Sequence, residues 1–159
     1  MSKFRVVALS TRTADYVRAK QKAPVFGHPA FTSVATGHGP CRHCLTPFRI
    51  GEESRTLFTF DAFDGTAAVP LPGPVFIHSD GCARYAEDAG YPPALVPYPV
   101  LLVAYAGEQQ VVAQQRVAAG MQEEAVNELL SRSDVDYIHV RDGEAGCFDF
   151  RVEKMQENA

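Results

Sequence analysis

The chain has 159 residues and a formal net charge of −4, with 46% hydrophobic and 21% charged residues. That is enough chain of ordinary globular composition to bury a core, and the acidic balance argues against a nucleic-acid partner, which calls for a clustered basic face. The longest apolar run, residues 100–106, is far short of the roughly 20 residues of a membrane span.

The first residues read as a strand running into a polar turn. They carry no apolar stretch followed by a small-residue cleavage site, so a cytoplasmic location is the expectation. Phe4 to Ala8 makes a short buried strand. Thr13 is placed to cap a helix through Tyr16, Val17 and Gln21, which Pro24 stops. Residues 22–40 hold repeated Gly and Pro without periodicity and predict a long loop. Arg55 to Phe60 and Val75 to Ile77 predict two strands with a second Pro/Gly loop between them. Ser79 or Asp80 then caps a short helix carrying Cys82, Tyr85 and Ala86, closed by Gly90, Pro92 and Pro93.

Beyond this the pattern is more regular. Val100 to Ala106 is apolar throughout, as in a strand covered on both faces, and Gln110 to Val117 follows it after a turn at Gly107. Met121, Ala125, Val126, Leu129 and Leu130 form an apolar stripe at helical spacing, with Glu123, Glu124 and Glu128 on the wet side. Tyr137 to Arg141 and Cys147 to Glu153 form a hairpin. The sum is an α+β fold spanning 1–159 as a single domain, a largely antiparallel sheet with two or three helices.

Four cysteines in a reducing compartment read as thiols or metal ligands rather than disulfides. Cys41 and Cys44 lie in GPCRHCLTPF. As a redox pair they need a helix starting at Cys41, whose dipole lowers the thiol pKa, and Pro47 is awkward for such a helix. As ligands they gain His78 and Cys82, giving C-x2-C-x33-H-x3-C, a set that suits tetrahedral zinc. The order of tight turn, hairpin and helix start resembles a treble-clef zinc module over 41–86. With all four positions filled by protein, the zinc has no open site for water and is structural. His43 stands inside the turn as an alternative ligand. His28 and His38 lie in the first loop. Buried cysteines without metal remain the plainer reading.

The C-terminal hairpin offers a different group. Ile138, Val140, Phe148, Phe150 and Val152 share a buried face if Arg141 pairs with Cys147 and His139 with Asp149. The other face then carries His139, Arg141, Cys147, Asp149 and Arg151. A thiol beside an imidazole and a guanidinium is a nucleophile's setting, although a solvated face of cross-strand ion pairs has the same residues.

The CRHCL segment, GPVFIH with Cys82, and the terminal IHVRDGEAGCFDFRVEK together resemble a bacterial family of domains of unknown function, the one numbered twelve hundred and three. The Gly-Cys-aromatic segment with its upstream His is the most specific part. The resemblance implies a bacterial cytosolic protein and no particular reaction. The leading expectation is a zinc-stabilised binding or accessory module whose partner is a protein or small molecule. The alternative is a small enzyme with Cys147 as nucleophile, His139 as base and Arg141 as anion-binding group. A CxxC redox protein stands third.

Overall fold

The computed structural model describes residues 4–155. In chain order its elements are β1 (Phe4–Val7), α1 (Thr11–Lys20), β2 (Phe31–Val34), β3 (Ser54–Asp61), β4 (Pro72–His78), β5 (Val100–Ala106), β6 (Gln110–Val117), α2 (Gln122–Leu130), β7 (Tyr137–Asp142) and β8 (Phe148–Lys154). These two helices and two antiparallel sheets make the fold α+β, as expected. The chain divides into two compact units. An internal unit is Ala8–Tyr85, and a terminal unit joins the chain through Val7 to the chain from Ala86 on.

The internal unit packs α1 with the sheet β2-β3-β4. Ser10, extended at φ −66 and ψ 148, caps α1 by accepting from the Thr13 amide. The cap therefore falls three residues before Thr13, which sits in the first turn instead. The helix ends at Gln21 in the left-handed region, φ 54, with its amide returned to the Val17 carbonyl. Ala14 and Val17 face inward against Leu9, Phe48, Phe58 and Ile77. Residues 22–40, expected as a loop, contain the edge strand β2, paired Phe31 to Leu57 and Val34 to Ser54. Every residue of β2 is exposed, so there is no in–out alternation for a pattern reading to find. The hairpin of β3 and β4 runs from Asp61 paired with Pro72 to Arg55 paired with His78. That register carries His78 to the end of the sheet beside Glu53.

The helix expected at Cys82 does not form. Residues 81–86 have no regular secondary structure. Their backbone is held from outside the segment, Tyr85 N–H donating to the His43 carbonyl at 2.9 Å. The Arg84 guanidinium also donates to the carbonyls of Ala8 and Leu9 at 2.7 and 3.2 Å. These tertiary anchors replace the intrahelical bonds that a cap at Ser79 or Asp80 would have started.

The terminal unit is a five-stranded sheet in the order β1-β8-β7-β5-β6. β5 lies between β7 and β6, so both of its edges are paired and its apolar run is buried over most of its length. In α2 Ala125, Val126, Leu129 and Leu130 are buried as expected, and only the first position of the stripe differs. Met121 is 50% exposed, while Gln122 is buried at 1%. Its amide nitrogen donates to the Val96 and Tyr98 carbonyls at 2.7 and 3.0 Å, which lets a polar side chain occupy the core.

The hairpin of β7 and β8 corrects the expected register. Val140 pairs with Phe150 and His139 with Arg151. Arg141 then pairs with Phe148, leaving Asp149 as the extra residue of a bulge. Cys147 falls in the turn, which Asp142 organises by accepting from the amides of Glu144 and Ala145. Ile138, Val140, Phe150 and Val152 are buried as expected. The bulge, however, moves Phe148 to the side of His139. Instead of an exposed polar face, His139 is fully buried and Asp149 nearly so. The imidazole lies 4.9 Å from the Phe148 ring and 5.0 Å from that of Tyr105.

Burial, with Arg141 and Arg151 nearby, pushes the His139 pKa down to about 3. An unfolded histidine takes a proton below about 6.5. Between those values the unfolded chain binds the proton and the folded chain does not, so stability falls as pH falls. Urea unfolding at pH 7.5 and 5, followed by tyrosine fluorescence, tests this. His139→Phe is expected to remove about 2 kcal/mol of the stability difference between the two pH values. Equal pH dependence in both proteins would contradict it.

Candidate metal centre

The turn that carries Cys41 and Cys44 is shaped by close packing. Gly39 has φ +92, and a Cβ there would lie 2.5 Å from the Phe48 ring, so no other residue fits without moving the aromatic core. The turn is closed by Cys41 N–H to the Thr46 carbonyl at 3.0 Å and Leu45 N–H to the Cys41 carbonyl at 2.9 Å. Leu45 adopts φ 55, an uncommon conformation for a branched side chain, and its fully buried side chain helps to hold it there. The Arg42 amide donates to the Phe76 carbonyl at 3.0 Å, which aligns the turn with the end of β4. The pair is therefore on a tight turn and not at a helix N-terminus, so it lacks the dipole that a thioredoxin-type thiol uses.

The sulfurs of Cys41, Cys44 and Cys82 and one ring nitrogen of His78 all lie within 4.8 Å of one another. Cys41 Sγ and Cys82 Sγ are 3.9 Å apart, and Cys44 Sγ is 3.4 Å from His78 Nδ1. Ligand distances of 2.3 Å to sulfur and 2.0–2.1 Å to nitrogen place tetrahedral vertices about 3.8 Å apart for two sulfurs and about 3.5 Å for sulfur and nitrogen. The spacing thus suits one ion shared by four ligands and is far too long for a disulfide. Cys41, Cys44, His78 and Cys82 could hold a metal ion.

Each ligand is held by a second partner. Glu53 Oε2 lies 3.3 Å from His78 Nε2, so the carboxylate fixes the ring and leaves Nδ1 for the metal. Glu53 is itself fixed by the Arg49 amide at 2.7 Å, which is the main cause of its lowered pKa. The His78 amide donates to Cys41 Sγ at 3.3 Å. Arg18 of α1 reaches the centre with Nε on the His78 carbonyl at 3.0 Å and Nη2 on Cys82 Sγ at 3.3 Å. His43 stands behind Cys82, with Nδ1 at 3.1 Å from Sγ and Nε2 at 2.9 Å from the Thr11 hydroxyl. With Thr11 donating to Nε2, the Nδ1 proton points at the sulfur. Burial lowers the His43 pKa, which keeps the ring neutral in that role.

Without a cation the three thiols oppose one another. Hydrogen bonds from Cys44 and then Cys82 lower the Cys41 pKa, and that same Cys41 interaction raises Cys44 and Cys82. The His78 pKa is raised, first by Cys41 and also by Glu53. The cluster is best described as a shared titration in which one sulfur ionises readily and the next two do not. A divalent ion removes that opposition and displaces the protons, so its affinity falls as pH falls.

The hairpin residues singled out by sequence belong to the terminal unit, while the four clustered residues belong to the internal one. Cys147 lies in the β7–β8 turn, Arg141 donates to the Gly146 carbonyl at 3.1 Å, and His139 is enclosed by Tyr105, Tyr137 and Phe148. His28 stacks on Phe26 with ring centroids 6.2 Å apart. Arg18 and Thr11 had no sequence signal tying them to the cysteines, whereas Glu53 closes the IGEE segment that follows the cysteine turn. A charged residue at the buried edge of α1, four residues after Ala14, was the available hint for Arg18.

A family model described as "Protein of unknown function (DUF1203)" matches residues 38–154. That span includes the four convergent ligands and the hairpin. No curated protein matches the chain, and no solved structure matches it.

Replacing Glu53 by Gln keeps the side chain's size and removes the charge on His78. Cobalt(II) titration, read by its visible absorption, is expected to show affinity about 10- to 100-fold weaker for Glu53→Gln than for the parent protein. Equal affinities would show that the carboxylate does not orient the ligand.

Proposed function

The chain belongs to the family of proteins of unknown function DUF1203, and we propose that it is a binding or accessory module whose internal unit is clamped by one structural zinc ion. The observation that carries this reading is the set of three sulfurs and one ring nitrogen within 4.8 Å. Soft thiolates with an imidazole in tetrahedral reach select zinc over magnesium or calcium, which take oxygen ligands. Four protein ligands complete the coordination, so the ion contributes folding energy rather than a bound water.

The fold gives such a clamp a purpose. The Cys41–Cys44 turn, the end of β4 and the irregular segment with Cys82 are joined by few backbone bonds, and Cys82 has no helix to place it. Zinc would tie all three. The partner in this reading is a protein or a small molecule and not a nucleic acid, consistent with the net charge of −4. No helix among the described residues is long and apolar enough to cross a membrane. Reduced thiols in this role suit the cytoplasm.

Metal analysis of the purified protein is expected to give about one zinc per chain, and Cys41→Ser or Cys82→Ser close to none. Removal by a chelator should make the bonds after Arg42 and Arg84 cleavable by trypsin at least about tenfold faster, since local opening exposes them. A metal-free preparation with the same trypsin resistance would overturn the zinc reading.

A further inference from the structure

The vertices of the centre are not equivalent. Cys41 is fully buried, and its sulfur accepts the His78 amide at 3.3 Å. Cys82 is half-buried, but its sulfur faces the Arg18 guanidinium at 3.3 Å and His43 Nδ1 at 3.1 Å. Cys44 is also half-buried. Its sulfur has the Thr46 hydroxyl at 3.1 Å and His78 Nδ1 at 3.4 Å, and the latter atom would be taken up by the metal. An open groove of about 530 Å³ adjoins the centre, and both Cys44 and Cys82 line it, with Thr46, Arg49, Glu53 and Ser54 among others.

We propose that Cys44 is the reactive thiolate of the centre, the position at which it accepts an alkyl group from a small soft electrophile entering the groove. This rests on the zinc reading above. Hydrogen bonds to a sulfur anion draw off electron density, and charged donors do so most. Cys41 has no access; Cys44 and Cys82 both face the groove, but Cys82 has such a charged donor and Cys44 a single hydroxyl. A metal-bound thiol is already deprotonated at neutral pH, so no general base is needed. In the step, Cys44 Sγ attacks the electrophilic carbon and the S–C bond forms as the bond to the leaving group breaks. The leaving group departs with the electron pair and no proton moves. The sulfur becomes a neutral thioether, and the centre loses one negative charge.

The test treats the zinc-loaded full chain with substoichiometric iodoacetamide and maps the labelled cysteines by peptide mass, with zinc measured on the same sample. Cys44 is expected to label at least tenfold faster than Cys41 and Cys82, with Cys147 as the metal-free reference thiol. Thr46→Val removes the one remaining donor and should speed Cys44 labelling at least twofold. Arg18→Met should shift labelling toward Cys82 at least threefold. Zinc-loaded protein in which Cys41 or Cys82 labels as fast as Cys44 overturns the proposal alone. So does labelling of Cys44 no faster than zinc leaves to a chelator. A preparation with no zinc overturns the zinc reading and the proposal with it.

Discussion

Three thiols and an imidazole are brought together at the edge of an apolar core, and the rest of the internal unit is arranged around that crowding. Cys41 is part of the same buried cluster as Val17, Phe48 and Ile77. In such surroundings a second negative sulfur beside the first is strongly disfavoured. A divalent cation held by the four residues would turn that repulsion into a bond joining the segments. Glu53, Arg18 and His43 all converge on that point. Each uses a charge or a directed proton on an atom belonging to one of the four ligands.

The convergence of Cys41, Cys44, His78 and Cys82 was legible in the sequence because it depends on residue type and on strand register. The spacing C-x2-C-x33-H-x3-C identifies donors, and a hairpin between its halves brings them together whatever the loop length. The helix at Cys82 was not legible. Ser79 and Asp80 carry a helix-start signal, but Arg84 and Tyr85 are held by bonds to distant backbone, and such tertiary bonds override local propensity. The strand β2 was missed for the opposite reason. It pairs with β3 at an edge and buries nothing, so its sequence has no pattern to show.

The hairpin teaches a narrower lesson. Alternation placed Ile138, Val140, Phe150 and Val152 on the buried face correctly, because each lies on the regular side of the bulge. Past Asp149 the parity changes. Phe148 crosses to the face of His139, and a face that reads as polar becomes an aromatic box around a neutral imidazole. One inserted residue is enough, since the side-chain period of a strand is two. A loop long enough to satisfy Asp142 and Gly146 leaves that insertion invisible in composition.

In the zinc reading, the charge of the centre gives the arginine at position 18 of α1 a role. Were a divalent ion bound, three thiolates and a neutral imidazole would leave one net negative charge, and Glu53 adds another nearby. Arg18 offsets one of these from a helix face that also buries Ala14 and Val17. It is one residue past Val17 and four past Ala14, so the spacing that packs the helix also aims the guanidinium. Its planar fork reaches the His78 carbonyl and Cys82 Sγ together, which a single ammonium on a lysine stem does not match in geometry. The guanidinium also quiets Cys82, while the Cys44 vertex has no such cation within bonding reach among the described residues. Charge compensation and uneven reactivity around the centre therefore have one structural source, the docking of α1 on the side of Cys82.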